Sequence, residues 1–256
     1  MISNTIKISR SGLKLFLDCP RCFWLDVRHK IKRPPSYPYT LSSAVDFLVK
    51  QEFDKYRVKG ELPPILKKFF RDDPAESLTA DRQQKERAFN GASAKLFRGE
   101  QLSEWRNNFK GIRYYDENLN AILYGAVDDI LEFSDGSLAV VDYKSSGSKE
   151  ITIYDDYQKQ MDIYSYILEK NGFVMQPEAF FVFFLVLKDG GGFENALPFR
   201  EELKIIRTNT SWVESAFERA IETARQDTPP VNPNHCDHCH FVQRASEFEP
   251  IKDVNI

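Results

Sequence analysis

Residues 137–144, Ser-Leu-Ala-Val-Val-Asp-Tyr-Lys, are apolar at nearly every position up to Asp142 and Lys144. Such a run is the pattern of a strand covered on both faces. Asp142 and Lys144 are two residues apart and therefore lie side by side on one face of that strand. A carboxylate and an ammonium at the end of a buried strand are costly unless they bind an ion or perform a task. An isolated D-x-K tripeptide also occurs as a surface ion pair, so the rest of the chain has to decide.

Upstream, Ala126-Val127-Asp128-Asp129-Ile130-Leu131-Glu132-Phe133 is a second β-branched, apolar run, and Ser134-Asp135-Gly136 separates the two. The pair reads as a hairpin. A three-residue loop with Gly136 in the left-handed conformation pairs Phe133 with Ser137 and sets Asp128 opposite Asp142. A two-residue loop shifts the register by one and presents Asp129 instead. Turn chemistry favours Asp128 only slightly. Two carboxylates and a lysine converging on one face are what a divalent cation and an activated water require.

A chain of 256 residues with a formal net charge of −3 is an ordinary globular composition, and it argues against coating nucleic acid through overall charge. The distribution is uneven. Residues 1–33 carry eight Lys/Arg against Asp18 and Asp26, a balance of +6, leaving −9 for the remainder. Arg10, Lys14, Arg21, Arg28 and Lys30 are candidate contacts to a polyanion. A solvated helix face explains the same charges equally well. No apolar run spans a bilayer and the first residues do not read as a signal peptide, so the expected compartment is the cytoplasm.

The spacing predicts a helical segment over 9–29, divided at Pro20 into two short helices or kinked there, and a helix from Thr40 or Ser42 to about Arg57 with Val45, Leu48, Val49 and Phe53 turned inward. Asp46 and Glu52 belong to that helix. Segment 60–110, charged and broken by prolines and glycines, reads as a helical insertion or lid in a single domain spanning 1–256. Ile112 to Tyr115 suits an edge strand. Over 154–171 an amphipathic helix places Tyr157, Gln160, Met161, Tyr164 and Leu168 on one stripe. Gln160 needs polar partners there, and Tyr164 one turn on can reach the same point. A strand over Ala179–Leu187, a turn at Gly190-Gly191-Gly192, a strand near Leu203–Arg207 and a helix from Ser211, capped by that serine, to Arg225 complete the pattern.

All four cysteines fall in C-x-x-C pairs, Cys19/Cys22 and Cys236/Cys239, at opposite ends of the chain. In a cytosolic chain this predicts metal or cluster ligation in preference to disulfides, tying 1–33 to 226–245. Four thiolates suit tetrahedral zinc and an iron–sulfur cluster alike. His235, His238 and His240 crowd the second pair.

In order, C-P-R-C-F-W-L, a helix with Asp46, G-A-V-D-D-I, V-D-Y-K, Q-M-D-I-Y and a terminal C-x-x-C resemble the PD-(D/E)XK nuclease superfamily. The likeness is to its RecB-like branch, which includes CRISPR-associated and helicase-linked exonucleases. The resemblance implies an α/β fold, a restriction-endonuclease-like mixed sheet flanked by helices. It implies hydrolysis of DNA phosphodiesters with Mg²⁺ or Mn²⁺, in repair, recombination or CRISPR and phage processing, on single-stranded or free-ended DNA. A helicase or CRISPR partner would be a separate chain. Carried over, Asp128 (chosen over Asp129) and Asp142 are ligands of the divalent cation. Lys144 is the catalytic lysine, and Gln160 and Tyr164 orient it and the strand. Relatives carry a histidine where this chain has Asp46, a hard oxygen ligand in its place, with Glu52 as the fallback. Cluster-bearing relatives place one cysteine early and three late; the two-and-two arrangement here makes Cys22 the substitute in a [4Fe–4S] centre and leaves zinc open.

Overall fold

The structure is a computed structural model that describes residues 5–35, 37, 39–70, 93–189, 192, 193, 195–233 and 235–248. Two compact units emerge from its contacts. The first comprises 1–37, 115–123 and 211–256; the second comprises 38–114 and 124–210.

The second unit is built on a five-stranded sheet. Its strands are β2 (Ala94–Leu96), β5 (Asp129–Phe133), β6 (Leu138–Ser146), β7 (Glu178–Val186) and β8 (Phe199–Arg207), in the order β2-β5-β6-β7-β8. Only β6 and β7 run parallel; the other pairings are antiparallel. A parallel pair needs a crossover, and α6 (Asp155–Lys170) supplies it. The sheet is therefore mixed and flanked by helices, the α/β architecture that the sequence resemblance implies.

Alternation along the strands separates two faces. Ala139, Val141 and Tyr143 of β6 and Phe180, Val182 and Phe184 of β7 pack with Val49 and Phe53 of α3 (Thr40–Lys59). Ile65 and Leu66 of the short α4 (Pro64–Lys67) join them. Asp142, Lys144, Phe181 and Phe183 point the other way, towards α6, where Tyr157 meets both phenylalanines. Every residue from Leu138 to Tyr143 is buried, so both sides of this strand are covered, which accounts for the apolar run of 138–141.

Three sequence expectations change. Leu48, assigned to the core, is 61% exposed, because the first half of α3 is apolar on both sides and only one side meets the sheet. Helix α6 is not amphipathic: every residue from Gln160 to Leu168 is buried, and Asp162 survives there by accepting bonds from Gln158 Nε2 (2.8 Å) and the Asn209 N–H (2.9 Å). Ser211 does not cap the last helix of the 211–225 segment, which starts at Val213 with Trp212 at the cap position and no side-chain cap bond. Gly190 and Gly191, and residues 71–92 of segment 60–110, lie outside the described residues.

The first unit contains β1 (Ile6–Ser9), α1 (Arg10–Asp18), α2 (Pro20–His29), α7 (Val213–Arg225) and α8 (Asp237–Phe248). Ser9 caps α1 by accepting from the Gly12 N–H at 3.0 Å. Pro20 begins α2 rather than kinking one long helix. The tip of the hairpin formed by β3 (Ile112–Asp116) and β4 (Ala121–Gly125) also belongs here, with β1 alongside β4. In the second unit, α5 (Leu102–Trp105) leads to β3. No helix among the described residues is long and apolar enough to cross a membrane.

Gly111, between α5 and β3, adopts φ +61°, and a Cβ there would stand 2.3 Å from the Gly125 carbonyl oxygen. Backbone cannot step aside as a side chain can. Gly111→Ala should therefore cost roughly 2–4 kcal/mol, read as a lowered urea midpoint at unchanged slope. Gly136→Ala has open space around its Cβ and should cost only the positive-φ penalty of about 1 kcal/mol.

Candidate active site and metal centre

Gly136 is left-handed (φ +80°), the Gly136 N–H reaches the Phe133 carbonyl, and the Phe133 N–H reaches the Ser137 carbonyl. The three-residue bulged turn is thus the one formed, and β5 pairs with β6 as Asp129↔Val141 and Ile130↔Val140. One step beyond, Asp128 stands opposite Asp142, and its Oδ2 accepts the Tyr143 N–H at 3.0 Å.

Asp142 is 1% exposed. Its Oδ1 accepts from Gln160 Nε2 at 2.5 Å, and its Oδ2 meets the Lys144 ammonium in an ion pair. That contact lacks hydrogen-bond geometry, so Oδ2 is a buried oxygen with no hydrogen-bond partner among the described residues. Lys144 Nζ is also 3.3 Å from Gln160 Oε1 and lies over the ring of Tyr157, 4.9 Å from its centroid. Gln160 therefore satisfies its amide at both ends within the site. Tyr164 is buried one turn further along α6. Burial, reinforced by the negative charge of Asp128, pushes the Asp142 carboxyl up to about 7 against the opposing pull of Lys144.

From α3, Asp46 approaches Asp128 through Lys50. The Lys50 ammonium is 2.8 Å from Asp46 Oδ2 and 2.7 Å from Asp128 Oδ1. Burial and the Asp128 charge raise the Asp46 carboxyl, with Lys50 working against them. For Lys50, burial favours the neutral amine, but Asp128 and Asp46 outweigh it and hold the amine protonated. Glu52 is exposed and lies near Glu201, whose carboxyl rises through burial and the Glu52 charge. The acid that α3 brings to Asp128 is Asp46.

Asp129 points to the α3 face, fully buried. It accepts from Arg57 Nη2 (2.6 Å), Arg106 Nη2 (2.8 Å) and the Tyr143 hydroxyl (2.7 Å). Asp54 joins both guanidinium groups, and Arg106 Nε also holds the Asp128 carbonyl at 2.8 Å. A buried carboxylate with this many donors is structural. It fixes the backbone from which Asp128 projects. Lys50 and this network were not singled out from sequence. Lys50 lies at i+4 from Asp46, a spacing that does signal a pair; Arg57 and Arg106 carry no local signal.

In the first unit, Cys19, Cys22, Cys236 and Cys239 are free thiols whose sulfurs all lie within 4.8 Å of one another, a group that could bind a metal ion. Burial opposes ionisation of Cys236, yet the Cys239 N–H and the surrounding thiols bring it down to about 7. Arg33 Nη2 donates to Cys236 Sγ at 3.2 Å. His235 Nε2 is instead 3.0 Å from the Asp18 carbonyl.

Several of the N-terminal cations are engaged by this unit itself. Lys14 pairs with Asp18, Arg21 reaches the Pro230 carbonyl, Arg28 reaches Asp227 and the end of α7, and Lys30 bonds the Val27 carbonyl. Arg10 Nε is buried without a hydrogen-bond partner among the described residues. Exposed pairs of this kind are worth about 0–1 kcal/mol, so phosphates can compete for them.

The Asp142 shift has a sign that can be checked. Its folded value lies above the ordinary carboxylate value, so between about pH 4 and 7 the folded chain keeps a proton that the unfolded chain releases. Its contribution to stability is full below that window and is lost as pH rises through about 7. In chelator, wild-type stability minus that of Asp142→Asn should fall by roughly 1–3 kcal/mol from pH 4 to pH 8. A pH-independent difference in urea unfolding would refute it.

A solved protein described as "Crystal structure of SSO0001" is similar over 90% of this chain and 81% of its own, at 14% identity and a TM-score of 0.40. No curated protein matches the chain. The family model of the PD-(D/E)XK nuclease superfamily matches residues 7–244, nearly the whole sequence and all the residues placed above, and the chain belongs to that superfamily.

Proposed function

We propose that this chain is a divalent-cation-dependent deoxyribonuclease of the RecB-like branch, acting as an exonuclease on DNA ends or single strands. The observation that carries the reading is Asp142: a fully buried carboxylate with one oxygen left without a hydrogen bond, flanked by Lys144 and Gln160 and facing Asp128. The Lys144 ammonium meets that oxygen in an ion pair, and a divalent cation would add the further contact that a buried carboxylate oxygen can accept.

The residues fit a hard cation. Asp46, Asp128 and Asp142 offer carboxylate oxygens, and the point between Asp46 and Asp128 already holds a positive charge, that of Lys50. Mg²⁺ or Mn²⁺ held by these three would offset charge on the scissile phosphate and acidify the attacking water. Lys144 contributes an ammonium held by Asp142, Gln160 and the Tyr157 ring, so it meets charge developing on the phosphate without first being ordered. Gln160 fixes the Asp142 carboxylate and the lysine at once. Tyr164, on the same helix, is assigned to strand positioning. Arg10, Lys14, Arg21, Arg28 and Lys30 are assigned to phosphate contacts, with Tyr37 and Tyr39 for stacking. Four free cysteines suit a reducing cytoplasm. Repair, recombination, CRISPR and phage processing are the settings, with unwinding supplied by a separate helicase or CRISPR partner.

Asp142→Ala and Lys144→Ala should each lower Mg²⁺- or Mn²⁺-dependent cleavage of an end-labelled oligonucleotide by about 10²-fold or more, with unchanged circular dichroism. Wild-type rates in either variant would remove the reading. Lys50→Met deletes the ammonium that Asp46 and Asp128 share, so Mn²⁺ binding followed by electron paramagnetic resonance should tighten by about tenfold, one charge contact of roughly 1.4 kcal/mol.

A further inference from the structure

The cysteine centre is independent of whether the chain cuts DNA. Its sulfurs stand close together: Cys19–Cys239 3.7 Å, Cys22–Cys236 3.8 Å and Cys22–Cys239 3.5 Å, with every pair inside 4.8 Å. Four thiolates around one tetrahedral ion with metal–sulfur bonds of about 2.3 Å are separated by the edge of that tetrahedron, about 3.8 Å. Four thiolates on the corners of a four-iron cube are separated by the same edge plus an iron–iron distance, so they must open to about 6 Å. The spacing here leaves no room for the cube. The [4Fe–4S] cluster that the sequence resemblance implies does not fit the donor set.

The backbone around the thiols supports the smaller occupant. Cys19 caps α2, accepting the Cys22 N–H at 3.4 Å, and the Cys239 N–H acts in the same way on Cys236 at the start of α8. Each C-x-x-C pair thus wraps one sulfur around the N-terminus of a helix, where thiolate charge is stabilised. A dication with four thiolates leaves two net negative charges, which the two helix ends and the Arg33 guanidinium, donating to Cys236, offset. Cys19, Cys22 and Cys236 are almost completely buried and Cys239 is 9% exposed, so the coordination sphere is closed, as in a structural site. His235 is committed to the Asp18 carbonyl, and the sulfurs alone make the group of four.

We propose that Cys19, Cys22, Cys236 and Cys239 form a closed tetrahedral site for a single zinc ion, not an iron–sulfur cluster. Zn²⁺ combines a preference for four thiolates with no redox chemistry of its own. Its role is to clamp Cys22 to Cys236 across 214 residues of chain, a closure that costs the unfolded state entropy and the folded state little.

The full chain, produced in medium supplied with both iron and zinc and purified anaerobically, decides the matter. Metal and acid-labile sulfide should come out at one zinc per chain with no sulfide and no visible absorbance. Exchange with Co²⁺ should give the intense visible bands of a tetrahedral tetrathiolate. Cys22→Ser should lose that spectrum and lower the thermal midpoint. Arg33→Met should retain one zinc per chain and release it faster to a chelator. Iron and sulfide in equal number with a brown preparation would overturn the proposal, as would a folded chain that binds no metal. A colourless one-zinc protein inactive on DNA would leave this site standing and remove only the nuclease reading.

Discussion

Pairing Phe133 with Ser137 across Gly136 is the constraint from which the site follows. Strand side chains alternate with a period of two, so a one-residue slip exchanges the faces of Asp128 and Asp129. In the register formed, Asp128 stands opposite Asp142 and reaches Lys50, while Asp129 enters a pocket of two arginines and a tyrosine hydroxyl. In the slipped register Arg57, Arg106 and the Tyr143 hydroxyl would lose this carboxylate, and the two guanidinium groups would keep only Asp54 as an acidic partner, a penalty of roughly a few kcal/mol. The glycine turn selects the register and the arginine pocket enforces it. No Cβ clash demands glycine at 136; its positive φ does.

Charge is handled differently on the two sides of the same sheet. On the α3 side, Asp129 and Asp54 are matched by Arg57 and Arg106, and burial is offset by complete hydrogen bonding. Towards α6, Asp142 is buried with Lys144 beside it and one oxygen short of a hydrogen bond, and its carboxyl rises to about 7. The first arrangement is a finished structural network. The second keeps an opening in its coordination, which is what separates a binding site from a staple.

Much of this was legible in the amino-acid order. The buried strand ending in Asp142 and Lys144, the bulged turn and the paired cysteines follow from local patterns of two, three or four residues, and the mixed α/β fold follows from the resemblance that their order carries. Elements whose cause is distant were not legible. Leu48 has a core residue's chemistry, yet it faces outward because no described residue covers that side of α3. Helix α6 reads as amphipathic because Asp162 and Ser165 are polar, yet both are buried; Asp162 is met by the Asn209 N–H, and Gln160, on the apolar stripe, by Asp142 of β6, partners far off in sequence. Arg57 and Arg106 meet Asp129 across 72 and 23 residues, and no periodicity announces such a meeting.

The two candidate metal centres differ in the property that decides what an ion can do there. Oxygen ligands hold a hard cation loosely enough that water and phosphate can share it, and the site between α3 and β5 is correspondingly open: Asp46 is 36% exposed and Asp128 21%. Thiolates hold a soft ion through four bonds and leave no position for substrate; the sulfurs are correspondingly buried and mutually in reach. An ion exchanged during turnover belongs in the first environment, and an ion that stays for the life of the fold belongs in the second. Lys50 fits this division. A monovalent ammonium between two carboxylates steadies them in the absence of metal, and a divalent ion can displace it because two charges against two carboxylates outweigh one. Arg33 has no such exchange to make: its partner is a sulfur in a closed sphere, and its charge can only strengthen what the four thiolates already hold.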